Sequence, residues 1–196
     1  MTEPGQEPQK RPLVVAHRGS SAAVAEHTVG AYRRAIAEGA DALECDVRLT
    51  VDGELVCLHD RSVERTAGVP GVVSTMTLAE LRALDWGAWK HDGTGARSDG
   101  ETGGDENVSP DSGRLITLRE LVELALDANR EIGLAVETKH PSRSGGKVEH
   151  AVAVVLQAYG LTGSRGGDRG RRVWVRMMSF SALAVRRMAS LTPELP

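Results

Sequence analysis

The N-terminal part of the chain predicts one strand followed by one helix. Residues 13–16 (LVVA) form a short apolar run rich in β-branched side chains, which is typical of a buried strand. From Thr28 to Glu38 apolar side chains recur at helical spacing on one side, with arginines on the other. Gly39 follows this stretch, and a glycine in that position commonly ends a helix. The pattern indicates a strand–loop–helix unit.

A β-hairpin is predicted next. Two β-rich segments, residues 42–50 and 55–60, are separated by a loop that contains an Asp-Gly pair, which is a strong hairpin signal. The loop is too short for a parallel crossover, so the two strands should be antiparallel. If the turn is centred on the Asp-Gly pair, His59 lies opposite Asp46.

Strand and helix patterns alternate through the rest of the chain. Helices are predicted at residues 77–84, 116–128, 148–159 and 181–191, and strands at residues 133–139 and 173–180. Such alternation is typical of parallel α/β architecture. Counting the hairpin as an appendage of the second strand gives four strand–helix units.

Two segments predict little regular structure. Residues 1–12 are polar and proline-rich, and they are predicted to be a disordered lead-in to a domain that spans residues 13–196. Residues 61–115 form an insertion between the hairpin and the next strand. Its part from 90 to 114 is rich in Gly, Asp, Glu and Ser, a composition that predicts flexibility.

The composition narrows the class of function. The chain has 196 residues, enough for one domain with a sizeable core, and a formal net charge of −3. The sequence has no basic cluster of the kind that would indicate a nucleic-acid partner. It also has no run of about 18 apolar residues, which a membrane span would need. The polar N-terminus has no secretory pattern, so a cytoplasmic location is expected. The two cysteines, Cys45 and Cys57, are predicted to point apart and to pack without forming a disulfide.

Polar side chains gather near the C-terminal ends of the predicted strands, which is where sites form in parallel α/β folds. Glu44 and Asp46 are two residues apart on a strand, so both point to the same face. Two carboxylates on one buried face are costly unless positive charge neutralises them. With Glu137 on the neighbouring strand, three oxygen ligands suit Mg²⁺ or Ca²⁺ better than zinc. The alternative is a set of structural salt bridges with Arg18, Arg48 or Lys139.

Two histidines and two cationic side chains flank these carboxylates. His17 ends the first strand and His59 ends the hairpin. A pair of histidines near a metal can serve as general acid and general base at neutral pH. Arg18 offers a fork of N–H donors and Lys139 a point charge for phosphate oxygens. Together with a cation, these groups are arranged to neutralise a phosphate diester.

The order and spacing of these residues resemble a known family. Glycerophosphodiester phosphodiesterases carry, in order, H-R-G, P-E-N-T, E-x-D, T-x-D-G followed by H-D, E-x-K and S-F. In this chain the corresponding segments are HRG at 17–19, AEHT at 25–28, ECD at 44–46, TVDG at 50–53, HD at 59–60, ETK at 137–139 and SF at 179–180. The resemblance covers about residues 13–196, and the ordered series is far more specific than any single motif.

The resemblance implies a TIM (β/α)8 barrel whose site lies at the C-terminal ends of the strands. It implies hydrolysis of glycerophosphodiesters to glycerol 3-phosphate and an alcohol, with one divalent cation, Mg²⁺ or Ca²⁺, as cofactor. Carried over by position, it implies the cation ligands Glu44, Asp46 and Glu137, the acid–base pair His17 and His59, and the phosphate contacts Arg18 and Lys139.

The chain departs from the family pattern in two places. Ala25 and His27 stand where the family has Pro and Asn, and His27 is predicted to be a solvent-facing, capping or minor site residue. Four predicted barrel strands are half of the usual eight, so the barrel is expected to be incomplete. A truncated frame, a fragment, or a subunit completed by self-association through the open barrel edge would each account for this.

Two other functions are compatible with the sequence. One is a truncated inactive relic, or a binding module that keeps the metal and phosphate site without turnover. The other is a different phospholipase-type phosphodiesterase. The E-x-K strand and the absence of a signal peptide favour the glycerophosphodiesterase over this last alternative.

Overall fold

The computed structural model describes residues 11–91, 110–140, 145–163 and 172–195. Within these ranges the strands are β1 (Val15–His17), β2 (Ala42–Leu49), β3 (Leu55–Cys57), β4 (Ile132–Thr138) and β5 (Val173–Met178). Strands β1, β2, β4 and β5 are parallel and lie in that order, and β3 pairs antiparallel with β2. The prediction of four parallel strands with a hairpin after the second is confirmed.

The helices alternate with the strands as predicted. Those of the described ranges are α1 (Val29–Ala37), α2 (Glu64–Ala67), α3 (Leu78–Arg82), α4 (Ala88–His91), α5 (Leu118–Leu126), α6 (Lys147–Ala158) and α7 (Ala182–Leu191). The side chains of Thr28, Thr117 and Ser181 accept hydrogen bonds from first-turn N–H groups, which explains where α1, α5 and α7 begin. None of these helices is both long enough and apolar enough to cross a membrane.

The main hydrophobic core lies on the helix-facing side of the sheet. Alternate residues of the strands, such as Leu43 of β2 and Leu134 of β4, are buried there against Leu121 of α5 and Leu156 of α6. Burying one such side chain contributes about 1.5–3 kcal/mol. The residues of β2 that alternate with these buried ones, among them Glu44, therefore project from the opposite face of the sheet.

The insertion contains short helical segments around a second, smaller hydrophobic cluster. Its described residues form α2, α3 and α4 and the 3-10 turns Val73–Thr75 and Pro110–Gly113. The buried members of the cluster are Val56, Leu58, Val63, Val73, Leu81, Trp86 and Leu115. Residues 92–109, which include most of the segment predicted to be flexible, lie outside the described residues, as do residues 1–10 of the predicted lead-in.

The hairpin register differs by one residue from the prediction. The Thr50 N–H donates to the Glu54 carbonyl oxygen at 2.9 Å, which leaves a loop of three residues, 51–53, with Gly53 at a φ of +88°. The turn is therefore centred on position 52 rather than between positions 52 and 53. Three-residue hairpin loops commonly place a glycine in this left-handed conformation. As a consequence, the Leu58 N–H donates to the carbonyl oxygen of Asp46 at 2.9 Å. His59 is therefore not opposite Asp46, and that prediction was wrong.

The same shift changes the position of the cysteines. Cys57 lies opposite Val47, so it shares a face with Cys45 instead of pointing away from it. Both are buried in the main core as free thiols. The prediction that they form no disulfide is confirmed, but the reason given for it was wrong.

Apolar side chains are exposed along the two edges of the described sheet, as expected for open edges. Val14 and Val15, beside the β1 edge, are 59% and 45% exposed. Phe180, just beyond β5, is 95% exposed. Such edges carry unpaired backbone groups to which a further strand can pair.

Gly19 allows the loop after β1 to pack tightly against α1. Its φ is +81°, and a Cβ atom at this position would lie 2.7 Å from the backbone carbon of Ala31. The next residue in the loop, Ser20, donates its N–H to the Ala31 carbonyl oxygen at 2.9 Å. The close approach of backbone to backbone therefore fixes the position of the residues that precede Gly19.

We expect Gly19→Ala to lower the free energy of unfolding more than Gly39→Ala does. Both glycines have positive φ, +81° and +85°, but a Cβ at Gly39 meets no atom of the described residues within 4 Å. Gly39→Ala should cost about 1–2 kcal/mol for the backbone conformation alone. Gly19→Ala should cost about 1–3 kcal/mol more because α1 has to move. Urea unfolding measures both, and equal costs would contradict this account of the loop.

Candidate active site

Three carboxylates meet near the carboxyl end of β4, on the part of β2 that is in register with the ends of β1 and β4. Glu44 and Asp46 project from the same face of β2, and Glu137 of β4 lies beside Asp46 in the sheet register. One oxygen atom from each of the three lies within 4.8 Å of the others. The structure thus brings together the three residues that the sequence placed on one face.

Asp46 is the most enclosed of the three, with a side chain that is 1% exposed. Its Oδ2 lies 2.9 Å from His27 Nε2 and 3.2 Å from Arg18 Nε. Its Oδ1 lies 3.0 Å from Lys139 Nζ. Burial alone would raise the pKa of Asp46, but the hydrogen bond from His27 and the positive charge of Lys139 lower it below its usual range. The Asp46 carboxylate is therefore ionised.

Glu44 has less compensation for its charge. Its Oε2 accepts a hydrogen bond from the Arg18 backbone N–H at 2.9 Å, and the nearest ring nitrogen, His17 Nε2, is 3.9 Å away. Burial and the negative charge of Asp46 raise the pKa of Glu44 to about 7. Near neutral pH, Glu44 is therefore ionised only in part unless further positive charge is present.

Lys139 lies between two of the carboxylates. Its Nζ is 2.8 Å from Glu137 Oε1 as well as 3.0 Å from Asp46 Oδ1. Arg48, another salt-bridge partner considered from the sequence, instead donates from Nε and Nη2 to the carbonyl oxygen of His59 at 2.9 and 2.6 Å. Salt bridges with lysine or arginine therefore exist for Asp46 and Glu137, but among the described residues Glu44 has none.

His17 and Arg18 lie at the end of β1, next to the carboxylates. The His17 side chain is 68% exposed, so its ring is accessible to a substrate. Arg18 is 18% exposed, and its Nη1 contacts Glu26 Oε1 at 3.2 Å. Arg18 has a φ of +61°, a conformation that is uncommon for a non-glycine residue and is often found at functional sites.

His59, the second histidine predicted for the site, pairs with its sequence neighbour Asp60. Its Nδ1 lies 2.7 Å from Asp60 Oδ1, and its side chain is 35% exposed. Because a carboxylate only accepts hydrogen bonds, the proton of the neutral ring belongs on Nδ1, and Nε2 is left available. The one-residue shift of the hairpin accounts for the lack of a direct pairing with Asp46.

The sequence left His27 open as a solvent-facing, capping or minor site residue, and the structure buries it against Asp46. His27 is 1% exposed, and its ring joins Asp46 through Nε2 to the Tyr32 hydroxyl, which lies 2.8 Å from Nδ1. Burial lowers the pKa of His27, so the neutral ring donates from Nε2 to the Asp46 carboxylate. Its φ of +58° is a conformation that histidine and asparagine adopt more readily than most residues. The change from Asn in the motif was the available signal.

The carboxylate cluster fits a divalent cation. Asp46 Oδ1 is buried, and its ion pair with Lys139 lacks hydrogen-bond geometry, so among the described residues this oxygen has no hydrogen-bond donor and can still accept a ligand. When all three carboxylates are ionised, the positive charges of Arg18 and Lys139 leave one negative charge uncompensated. An all-oxygen ligand set with excess negative charge is what Mg²⁺ and Ca²⁺ prefer.

The fold and the site together define the class of protein as a TIM barrel, in which ionisable side chains gather at the carboxyl ends of parallel strands. The chain matches the profile of the Glycerophosphoryl diester phosphodiesterase family over residues 17–196. It belongs to that family.

Individual relatives agree with this assignment. The chain is 50% identical over 185 residues to "Probable glycerophosphodiester phosphodiesterase 1" of Mycobacterium tuberculosis, a match that covers 94% of this chain and 62% of the relative. It is 32% identical over 186 residues to the glycerophosphodiester phosphodiesterase of Bacillus subtilis, covering 95% of this chain and 58% of the relative. The chain therefore spans about three-fifths of the length of these relatives.

Two solved structures resemble the fold closely. A glycerophosphodiester phosphodiesterase from Agrobacterium tumefaciens superposes with a TM-score of 0.70 at 25% identity, over 94% of this chain and 65% of that chain. A phosphodiesterase from Oleispira antarctica, in complex with the product sn-glycerol-3-phosphate, superposes with a TM-score of 0.72 at 27% identity, over 94% and 64%. Both comparisons identify the four parallel strands as part of a TIM barrel.

We expect Glu44→Gln to stabilise the cation-free protein at pH 8 and to have little effect on its stability at pH 5. The folded-state pKa of about 7 lies above the ordinary value of 4.5, so wild-type stability falls as pH rises between these values. That shift corresponds to at most about 3 kcal/mol. Urea unfolding in EDTA measures the effect.

The cation response should change in the opposite sense. Mg²⁺ or Ca²⁺ should raise the melting temperature of the wild type at pH 8 and should raise that of Glu44→Gln much less. Glu54→Gln, in the exposed turn of the same hairpin, is the matched control and should behave as wild type. Equal cation responses in all three proteins would contradict a cation site at Glu44.

We expect His27→Ala to destabilise the protein more than His27→Asn does. Alanine leaves Asp46 and the Tyr32 hydroxyl without their shared partner, at a cost of about 1–3 kcal/mol. Asparagine tolerates positive φ and brings an N–H donor for Asp46, so it should recover part of that loss. Chemical denaturation compares the two, and equal losses would contradict a hydrogen-bonding role for this side chain.

Proposed function

We propose that this chain forms the site-bearing part of a metal-dependent phosphodiesterase that cleaves glycerophosphodiesters into glycerol 3-phosphate and an alcohol. The observation that carries the proposal is the meeting of Glu44, Asp46 and Glu137 at the carboxyl ends of the strands, beside His17 and the two cationic side chains. Family membership and the glycerol 3-phosphate in the Oleispira antarctica phosphodiesterase support the choice of substrate.

The charge of the site favours a phosphate diester as its ligand. With Mg²⁺ or Ca²⁺ held by the three carboxylates, the site would carry one net positive charge, counting Arg18 and Lys139. A phosphodiester brings one negative charge, so the complex would be neutral. The bound cation would polarise a phosphoryl oxygen as a Lewis acid.

Arg18 and Lys139 would serve the substrate while remaining paired with carboxylates. The Arg18 guanidinium forms an ion pair with Asp46 through Nε and donates from Nη1 to Glu26, and its Nη2 would serve a phosphate oxygen. Lys139 Nζ is held between Asp46 and Glu137, where it contributes a fixed positive charge. Both positively charged side chains are therefore held in position before a substrate binds, which reduces the entropic cost of ordering them.

The two histidines would move the protons. One would take a proton from the attacking hydroxyl or water, and the other would give a proton to the departing alcohol oxygen. His17 is accessible beside Glu44, and His59 is held through Nδ1 so that Nε2 is free to exchange a proton. General acid–base catalysis of this kind contributes about 10²–10⁴-fold to the rate.

We expect the chain to release glycerol 3-phosphate from glycerophosphocholine in Mg²⁺ or Ca²⁺ but not in EDTA. His17→Ala and His59→Ala should each lower kcat by about 10²–10⁴-fold. Because both side chains are partly exposed, their melting temperatures should stay close to the wild-type value. His150→Ala, on the exposed surface of α6, is the control and should keep full activity.

One result would replace this proposal with the binding-module alternative. A folded wild-type chain that shows cation-dependent stabilisation and releases no glycerol 3-phosphate would retain the site without turnover. A loss of activity in His150→Ala as large as that in His17→Ala would remove the evidence for a specific role of His17.

A further inference from the structure

Arg65 lies between the loops that carry the two histidines. It belongs to α2, in the insertion, and its guanidinium points back to the site. Nη2 and Nη1 contact Glu26 Oε1 and Oε2 at 2.6 and 3.2 Å, so this contact uses both carboxylate oxygens. Nε contacts Asp60 Oδ2 at 2.5 Å. One side chain thus binds the loop after β1 and the loop after β3 together.

Each carboxylate that Arg65 holds also contacts a residue of the proposed site. Glu26 Oε1 lies 3.2 Å from Arg18 Nη1, and Arg18 directly follows His17. Asp60 Oδ1 lies 2.7 Å from His59 Nδ1. The contacts form one continuous chain of alternating charge from Arg18 to His59.

The network is enclosed enough to restrict its members. Glu26 and Arg18 have side chains that are 12% and 18% exposed, whereas Arg65 and Asp60 are 44% and 31% exposed. A guanidinium that contacts two carboxylates in a fixed fork holds their separation far better than an ammonium group. The distance between the two loops is therefore set where the network is least solvated, at Glu26.

The insertion supports Arg65 from outside. The guanidinium carbon lies 5.8 Å from the ring centroid of Trp89, in α4, which is cation–π distance. The adjacent Lys90 donates from Nζ to the carbonyl oxygen of Ser21, in the loop after β1. The insertion therefore contacts the histidine-bearing loops through both an ion-pair network and a direct hydrogen bond.

We propose that Arg65 is a positioning residue that orients His59 relative to His17 by bridging Asp60 to Glu26. It does not touch the reacting atoms, and it acts through Asp60, whose carboxylate fixes the His59 ring with its proton on Nδ1. The effect on turnover rests on the proposed function, whereas the effect on the His59 ring does not. A displacement of about 1 Å in a catalytic group can lower a rate by about 10²-fold.

The kinetic test compares Arg65→Met and Arg65→Lys with Arg82→Met. Arg82 is a matched control, because it is 48% exposed and pairs with a carboxylate of its own, that of Glu120 at 3.1 Å. With glycerophosphocholine as substrate, Arg65→Met should lower kcat by about 10–10²-fold and change KM less than about 3-fold. Arg65→Lys should fall between Arg65→Met and wild type, since an ammonium restores the charge without the fork. Arg82→Met should match wild type.

A second readout does not depend on activity. Nitrogen-15 spectra of the histidine rings should show His59 with its proton on Nδ1 in the wild type and a mixture of tautomers in Arg65→Met. The Mg²⁺-induced rise in melting temperature should persist in both variants, which shows that the carboxylate cluster is intact. This ring measurement applies to Arg65→Lys as well, should Arg65→Met fail to fold.

The two readouts separate the failure of this inference from the failure of the proposed function. A change in the His59 ring in a protein whose wild type has no activity supports the positioning role and removes the proposed reaction. An unchanged His59 ring in the folded Arg65 variants overturns the inference, whatever the activity. In an active wild type, a kcat for Arg65→Met equal to that of Arg82→Met also overturns it.

Discussion

The two carboxylates of β2 and the one near the end of β4 can lie side by side only because the chain brings positive charge and N–H donors to them. Two like charges 4 Å apart repel by about 4 kcal/mol at the effective dielectric of a partly buried site. Contacts with His27, Arg18 and Lys139 stabilise the negative charge of Asp46, and Lys139 also stabilises that of Glu137. The ionised form of Glu44 is stabilised least, so a bound cation would lower the free energy of this carboxylate most.

The surrounding loops are built to keep these donors in place. Arg18 and His27 both have positive φ, and the His27 N–H donates to the Arg18 carbonyl oxygen at 3.1 Å. Conformations of this kind persist where neighbouring contacts hold them, and here Gly19 packs against α1 while Arg65 holds Glu26. The insertion is therefore part of the support of the site, although none of its described residues belongs to the carboxylate cluster.

Strand parity and parallel topology made much of the site predictable. Glu44 and Asp46 share a face because the side-chain period of a strand is two, and Glu137 joins them because β4 is the neighbour of β2. The hairpin register was not predictable in the same way, because one added loop residue moves every later position. The partners of His59 followed from that shift, and so Asp60 rather than Asp46 contacts its ring.

The sequence by itself determined the alternation of strands and helices, the family, and the residue types that meet at the carboxyl ends of the strands. These depend on periodicity and on an ordered set of motifs, which are local properties of the chain. Only the tertiary structure decided that His27 is buried against Asp46. The same is true of the contacts of Arg65 with Glu26, which is 39 positions away in the sequence, and with Asp60, which is 5 positions away. Contacts of this kind depend on the conformation of the loops that contain residues with positive φ. The pattern of hydrophobic and polar side chains does not predict that conformation.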